Sequence, residues 1–179
     1  MEFRTDHTGR EDAIATLFAK TFTASEGAEE GRLIGALARN LLATTPAADL
    51  AVFTAEEAGA IQGCIVFTRL AFPEDPRKVW LLSPVAVATD RQGRGIGQGL
   101  LRNGLDTLRE RGADVAVTYG DPAYYGKVGF RPVGLEAVRP PQPLSMPQGW
   151  LAQALTGGTL SPLQGPSHCA PALDDPAYW

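Results

Sequence analysis

A glycine-rich turn in the middle of the chain limits most strongly what this sequence can fold into. An apolar segment rich in valine, residues 79–88, ends just before the turn, and an amphipathic segment begins directly after it. The turn itself reads Gln92-Gly-Arg-Gly-Ile-Gly97. This order predicts a strand, a tight turn and a helix. The unpartnered amides at the start of such a helix, with few side chains in front of them, predict a site for a phosphate group.

Hydrophobic periodicity predicts the remaining elements. We expect strands at residues 3–5, 50–54, 61–70, 114–118 and 168–173, an extended segment at 130–138, and helices at 9–23, 33–42, 96–111 and 150–155. Asp121-Pro122 predicts the start of a further short helix. Pro84 interrupts the segment 79–88 and predicts a bulge or a local loss of pairing, since proline has no amide hydrogen. The strand, helix and strand across 79–118 predict a parallel pair.

Length and charge exclude several classes of protein. The 179 residues fit one domain of ordinary size, and a net charge of −4 argues against sequence-independent nucleic-acid binding. The two cysteines, Cys64 and Cys169, have no metal-ligand spacing and suggest reduced thiols in a cytoplasmic protein. The N-terminal residues lack the apolar core of a signal peptide, and no segment is apolar enough to span a membrane.

Two common phosphate motifs do not fit the turn. The dinucleotide motif needs Gly-x-Gly-x-x-Gly, whereas the glycines here alternate with other residues from Gly93 to Gly99. The P-loop motif needs a lysine followed by serine or threonine, and neither lies at the required place. A tight connection between a strand and a helix, without any ligand, remains the alternative at this stage.

Two segments together resemble the GNAT family of N-acetyltransferases. The turn fits the family signature Gln/Arg-x-x-Gly-x-Gly/Ala, and Tyr125-Gly-Lys-Val-Gly129-Phe130 resembles the family's Tyr-x-x-x-Gly-Phe segment. The resemblance is most specific over residues 81–132. It implies an α/β fold with a mixed, partly splayed sheet flanked by helices. A single acetyltransferase domain would span residues 1–179, with the coenzyme-binding centre at about 79–132 and an atypical proline-rich tail at about 139–179.

The resemblance implies acetyl-coenzyme A as co-substrate. The pyrophosphate would be held by the backbone amides of the turn, from Gln92 through Gly93, Arg94, Gly95 and Ile96 to Gly97. The Arg94 side chain either adds charge to this site or is simply solvated. The pantetheine arm would pair with the strand end formed by Val85, Ala86 and Val87, whose amides would polarise the thioester carbonyl.

The resemblance places Tyr125 at the position of the general acid that protonates the departing thiolate. A phenol with a pKa near 10 and a thiol with a pKa near 8.5 are close enough for useful proton transfer. The alternative is an aromatic side chain that only packs beside Phe130. No general base is assigned: Glu56 and Glu57 fall in an expected hairpin turn, where solvated charge is the favoured interpretation. Ser83 is at most a polar contact.

The acceptor is expected to be a small-molecule or peptide amine, contacted by residues 23–31 and 140–147. Trp80 and Trp150 either line that pocket or pack in the core. No nucleic-acid, membrane or metal partner is expected, and the family often forms dimers. A non-catalytic module that binds or senses acyl-coenzyme A on the same fold is the competing function. The presence of Tyr125 favours the enzyme, because a binding module has no need of a general acid.

Overall fold

The computed structural model describes all 179 residues and is an α/β structure with one seven-stranded sheet. The α-helices are α1 (Glu11–Glu26), α2 (Ala28–Thr44), α3 (Ile96–Glu110) and α4 (Pro122–Tyr125). The strands are β1 (Glu2–Arg4), β2 (Leu50–Glu57), β3 (Ala60–Arg69), β4 (Val79–Val87), β5 (Val115–Tyr119), β6 (Arg131–Pro132) and β7 (Trp150–Ala154). Their order in the sheet is β1-β2-β3-β4-β5-β7-β6, and the predicted fold class is confirmed.

The sheet is mixed because a single crossover helix joins two of its strands. β4 and β5 pair in parallel from Val79 opposite Val115 to Leu82 opposite Thr118, as the strand, helix and strand pattern predicts. The pairs β1–β2, β5–β7 and β6–β7 are antiparallel. The parallel ladder ends at Leu82, whereas β4 continues to Val87. This ending fits the expected partly splayed sheet.

β4 carries one residue more than the strand beside it. The amide of Leu70 donates to Val79 O, and the amide of Ala88 donates to Gln62 O. The eight residue steps from Gln62 to Leu70 along β3 therefore lie opposite the nine steps from Val79 to Ala88 along β4. An extra residue on one strand of an antiparallel pair is a β-bulge, and it lies in the span that contains Pro84.

The chain divides into two compact units. The first unit is Met1–Phe67 with Pro84–Gly104. In it α1 and α2 lie in close contact, since a Cβ at Gly35 would be 2.8 Å from the Cβ of Ala19. Its core contains fully buried aromatic side chains, among them Phe18 and Phe53.

The second unit is Thr68–Ser83 with Leu105–Trp179. Its centre is an aromatic cluster in which Tyr119 stacks on Trp179 and both meet Trp150 edge-on. A nearly buried carboxylate, Asp75, holds Arg77 through two hydrogen bonds of 2.8 and 3.0 Å. Arg77 also donates to the carbonyls of Ser161 and Pro162, so this pair fastens the tail.

The tail differs most from the sequence expectations. Residues 150–154 form β7 and not a helix, because Trp150 is fully buried and the segment pairs with both β5 and β6. Tertiary pairing overrides the helical pattern there. The expected strand at 168–173 is reduced to one bridge between His168 and Ala71, and a 3-10 helix follows at Pro171–Leu173. Of the extended segment 130–138, only Arg131–Pro132 is a strand.

Neither cysteine forms a disulfide, and no cluster of three metal-ligating side chains occurs in the chain. Cys64 is fully buried and Cys169 is half-buried. None of the helices has both the length and the apolar composition needed to cross a bilayer.

Candidate active site

The glycine turn has a backbone conformation that residues with a side chain adopt only with strain. Gly93 and Gly95 have φ values of 74° and 80°, in the left-handed region where glycine alone is unstrained. A Cβ at either position would meet no atom within 4 Å. The glycines are therefore required by backbone conformation and by the open space in front of it, and not by internal packing.

The amides at the start of α3 have no acceptor within the protein. The helix begins at Ile96, and its first bond runs from the amide of Gly99 to Gly95 O at 2.9 Å. The amides of Gly95, Ile96 and Gly97 make no hydrogen bond. A helix start with such amides carries a positive partial charge and binds anions.

Side chains on either side of the turn hold it in place. Gln92 Nε2 donates to Val87 O at 3.1 Å and so closes the turn onto the end of β4. Arg91 is paired with Glu57 at 2.6 Å. Arg94 is exposed and has no ion-pair partner. A cavity of about 300 Å³ lies beside the turn, with Arg94, Gly95 and Ile96 on one side and Phe3 on another.

The strand end that precedes the turn is only partly covered. Val85 and Val87 are partly exposed, and Ala86 between them is buried. All three residues lie beyond the last parallel pair of the β4–β5 ladder and after Pro84. The structure thus brings residues 85–87 and 92–97 together in the first unit.

Tyr125 is the last residue of α4 in the second unit. Asp121 caps this helix by accepting from the amide of Ala123 at 2.9 Å, as the Asp-Pro pair predicts. Gly129, with φ 100°, turns the chain so that Phe130 packs edge-on against the Tyr125 ring. The spacing Tyr-x-x-x-Gly-Phe is therefore a local fold that buries Phe130 beneath Tyr125.

The Tyr125 ring lies against Gly120, the residue that directly follows β5. Thr118 is in the last parallel pair of the β4–β5 ladder, opposite Leu82, and its hydroxyl donates to Leu82 O at 3.0 Å. Burial raises the pKa of Tyr125 well above its ordinary value, the neighbouring Tyr124 adds to this rise, and the nearby Thr118 hydroxyl opposes it. The phenol therefore keeps its proton at neutral pH and is a hydrogen-bond donor.

The structure shows that the sequence expectation for Glu56 was wrong. It belongs to β2 and is only 4% exposed, whereas a solvated turn residue was expected. It pairs with Arg10 at 3.0 Å and accepts from the Thr54 hydroxyl at 3.1 Å. A buried carboxylate is stable in such a place only when paired, and here it ties the start of α1 to β2. Glu57 is exposed, as expected, and no residue emerges as the general base.

The two segments expected to contact the acceptor have different structures. Residues 23–31 contain the ends of α1 and α2 around Gly27, whose φ is 100°. Residues 140–147 are irregular and are fixed by Tyr119, whose hydroxyl accepts from the Met146 amide at 2.6 Å. Trp150 is fully buried and donates to Val138 O, so it belongs to the core.

Sequence reasoning missed Gly120, which packs against Tyr125, and Tyr119, which holds Met146. A Cβ at Gly120 would lie 2.6 Å from Tyr125 Cε2, so glycine is needed there for the ring to pack. These residues lie at the end of β5, and their spacing in the sequence does not indicate which side chains the tertiary structure places beside them.

The glycine turn and Tyr125 both fall within the region that is similar to known proteins. The family model described as "Acetyltransferase (GNAT) family" matches residues 11–130, which include the glycine turn and Tyr125. The uncharacterized N-acetyltransferase YjhQ of Escherichia coli K12 is 33% identical over 117 residues, covering 63% of this chain and 64% of YjhQ. The matched region thus spans less than two thirds of that curated relative.

Solved structures extend the similarity over nearly the whole chain. A GNAT family acetyltransferase from Brucella melitensis in complex with acetyl-CoA superimposes with a TM-score of 0.75 and 27% identity, covering 97% of each chain. YhbS from Escherichia coli in complex with CoA gives a TM-score of 0.83 at 21% identity, covering 97% of this chain and 92% of YhbS. The second likeness concerns the fold alone.

Proposed function

The chain belongs to the GNAT acetyltransferase family, and from this we propose that it transfers an acetyl group from acetyl-coenzyme A to an amine acceptor by direct attack. The observation that carries the proposal is the Tyr125 phenol, whose ring packs against Gly120 directly after β5 and against Phe130. A module that only binds the coenzyme has no use for a proton donor there.

The coenzyme contacts follow from the first unit. The amides from Gln92 to Gly97 accommodate the pyrophosphate, and the unpartnered amides at the helix start support this assignment. Val85, Ala86 and Val87 pair with the pantetheine arm and direct an amide at the thioester carbonyl, as an oxyanion hole does. Arg94, exposed and unpaired, adds a positive charge for a phosphate.

The reaction needs one proton to reach the leaving group. The neutral amine forms the new C–N bond, the C–S bond breaks, and Tyr125 gives its proton to the sulfur. Its raised pKa makes this phenol a weaker acid than free tyrosine, so it protonates a thiolate only as negative charge develops on the sulfur. The acceptor amine loses its own proton to solvent or to a carboxylate.

The partners and the compartment form part of the same proposal. The acceptor is a small-molecule or peptide amine, the protein acts in the cytoplasm with its two thiols reduced, and a homodimer is expected from the family. Light scattering of the purified protein decides between monomer and dimer.

The test separates an enzyme from a binding module. We expect acetyl-coenzyme A, and neither NAD nor ATP, to raise the melting temperature, because a ligand that binds only the native state stabilises it. Chromatography then measures free coenzyme A after incubation with amino acids, a polyamine, an aminoglycoside and an alanine-first tripeptide. Stabilisation without coenzyme A release for any amine would favour the binding module. No stabilisation would refute both functions.

A further inference from the structure

The segment that follows Arg139 carries no acidic and no strongly basic side chain over a long stretch. From Pro140 to Leu173 the sequence contains no aspartate, glutamate, lysine or arginine. Asp174 reaches this stretch, but its carboxylate accepts from Gln142 Nε2 at 2.7 Å. Residues 140–147 therefore offer no carboxylate of their own to an acceptor that carries several positive charges.

Met146 is the exposed apolar side chain of this segment. It is 59% exposed, and Leu135 is the other exposed large apolar residue of the second unit. A single apolar side chain in solvent is ordinary on a protein surface. What distinguishes Met146 is the way in which its backbone is held.

The backbone of Met146 is fixed on both sides. Its amide donates to the Tyr119 hydroxyl oxygen at 2.6 Å, and its carbonyl accepts from the Gly149 amide at 2.9 Å. The Tyr119 ring is itself held, because it stacks on Trp179 and meets Trp150 edge-on. The exposed thioether therefore extends from a fixed backbone.

Gly120 joins this backbone to the candidate catalytic tyrosine. The Gly120 amide donates to Gly149 O at 2.9 Å, and an added Cβ at Gly149 would lie 2.9 Å from Gly120 O. An added Cβ at Gly120 would lie 2.6 Å from Cε2 of Tyr125. The turn that holds Met146 and the ring of Tyr125 thus pack against the same residue.

We propose that Met146 is the contact that selects the acceptor, and that this acceptor is an amine with an apolar, uncharged substituent, an inference that rests on the proposed acetyl transfer. Asp121, exposed at the start of α4, can meet the single ammonium group of such an amine. Contact of the substituent with Met146 removes apolar surface from water, whereas a second ammonium group there would lose hydration without gaining a partner. Methionine is flexible and polarisable, so it adapts to apolar groups of different shape.

The first experiment compares matched acceptors with acetyl-coenzyme A. One pair is 3-methylbutylamine and 1,4-diaminobutane, and the other is a leucine-first and an asparagine-first tripeptide that both end in two alanines. We expect kcat/KM to be at least about tenfold higher for the apolar member of the pair that is acetylated. Equal values within that pair, or a preference for its polar member, would overturn the inference.

The second experiment changes the side chain. Met146→Gln keeps its length and adds a polar amide, so kcat/KM for the apolar acceptor should fall about tenfold through KM, with KM for acetyl-coenzyme A within about twofold. Met146→Leu should keep most of the activity. Leu135→Gln makes a similar change at the other exposed site and should leave both constants unchanged. Equal losses in Met146→Gln and Leu135→Gln would contradict a special role of Met146.

Tyr119→Phe tests whether the fixed backbone matters. It keeps the ring and removes the hydroxyl that accepts from the Met146 amide, so KM for the apolar acceptor should rise about threefold while kcat is unchanged. In a Met146→Gln background the same change should have no further effect. A further rise of equal size there would refute the positioning of Met146 by Tyr119.

Calorimetry keeps the inference separate from the proposed function. The apolar amine and the leucine-first tripeptide are each titrated into wild-type protein and Met146→Gln saturated with coenzyme A, in which no acetyl group can move. Binding that weakens about tenfold in the variant, without acetylation of any amine, would refute the acetyl transfer and leave the Met146 contact standing. Equal binding to both proteins, or no binding to either, would overturn the contact whatever the activity.

Discussion

In the unit Met1–Phe67 with Pro84–Gly104 the candidate ligand contacts are backbone amides, whereas in the unit Thr68–Ser83 with Leu105–Trp179 they are side-chain hydroxyls. The amides of Gly95, Ile96 and Gly97 are set by the φ angles of a short turn in which Gly93 and Gly95 face open space. The Tyr125 side chain is set by its neighbours Gly120, Tyr124 and Phe130, which pack against its ring. The first kind of site fails when the backbone is strained, and the second fails when a neighbour is changed.

The largest effect that we expect comes from the second kind of site. Tyr125→Phe should lower kcat about a hundredfold or more, because it removes the proton donor, while the stabilisation by acetyl-coenzyme A stays unchanged. Steady-state kinetics and thermal shift on the same samples measure the two quantities. Tyr124→Phe is the matched control and should keep most of the activity. An unchanged rate for Tyr125→Phe would show that Tyr125 only packs against its neighbours and takes no part in proton transfer.

The second largest effect is expected at the ion pair between Asp75 and Arg77, which holds the tail. Hydrogen bonds from Arg77 hold the pKa of the Asp75 carboxyl well below its usual range, so its contribution to stability is complete above about pH 4 and is lost as the pH falls through the lowered pKa. We expect Asp75→Asn to lower the melting temperature at pH 7 by roughly 10 °C and to weaken its dependence on acid.

A variant on α3 controls this experiment. Asp106 and Arg109 form an exposed pair in the same unit, so Asp106→Asn should change the melting temperature by about 2 °C or less. Melting curves between pH 3 and 7 compare the three proteins. Equal shifts for the two variants would contradict a special role of Asp75 in holding the tail.

The glycine turn tests the first kind of site. Gly95→Ala places a side chain at φ 80°, which costs about 1 kcal/mol, and it covers the free amides, so acetyl-coenzyme A should bind about tenfold more weakly by calorimetry. Gly99→Ala is the control on the same helix: its Cβ would meet only the tip of the exposed Phe3 ring, 2.8 Å away. Equal affinities of Gly95→Ala and Gly99→Ala for acetyl-coenzyme A would show that the turn does not bind the coenzyme.

The smallest effect belongs to a solvated charge. Arg94→Ala should weaken coenzyme binding about threefold at low salt, and the difference should disappear near 1 M salt, where exposed charges are screened. Arg102→Ala, which removes an exposed arginine on α3, should leave the affinity unchanged at every salt concentration. A salt-independent loss at Arg94 would indicate a role in the turn's conformation.

Both units contain segments that the sequence predicts well and segments that it does not. The turn and the helix after it were predicted because glycine φ preferences and helical periodicity are local properties of the chain. The Tyr125 segment was recognised for the same reason. Trp150–Ala154 was misjudged, since its five residues carry an ambiguous pattern and pair with strands distant in sequence. Glu56 was misjudged because nothing nearby indicates that Arg10 folds onto it.

The burial of the two thiols has a practical consequence for every rate measurement above. Only the thiolate reacts with thiol reagents, and burial raises the pKa of Cys64 far above neutral pH. Burial, together with the nearby Asp174, raises the pKa of Cys169 to about 11. The native protein should therefore consume thiol reagent slowly, so a chromogenic disulfide counts released coenzyme A directly over a low background. Exposure of Cys64 to the same reagent then reports global unfolding, because this thiol becomes accessible only when the core opens.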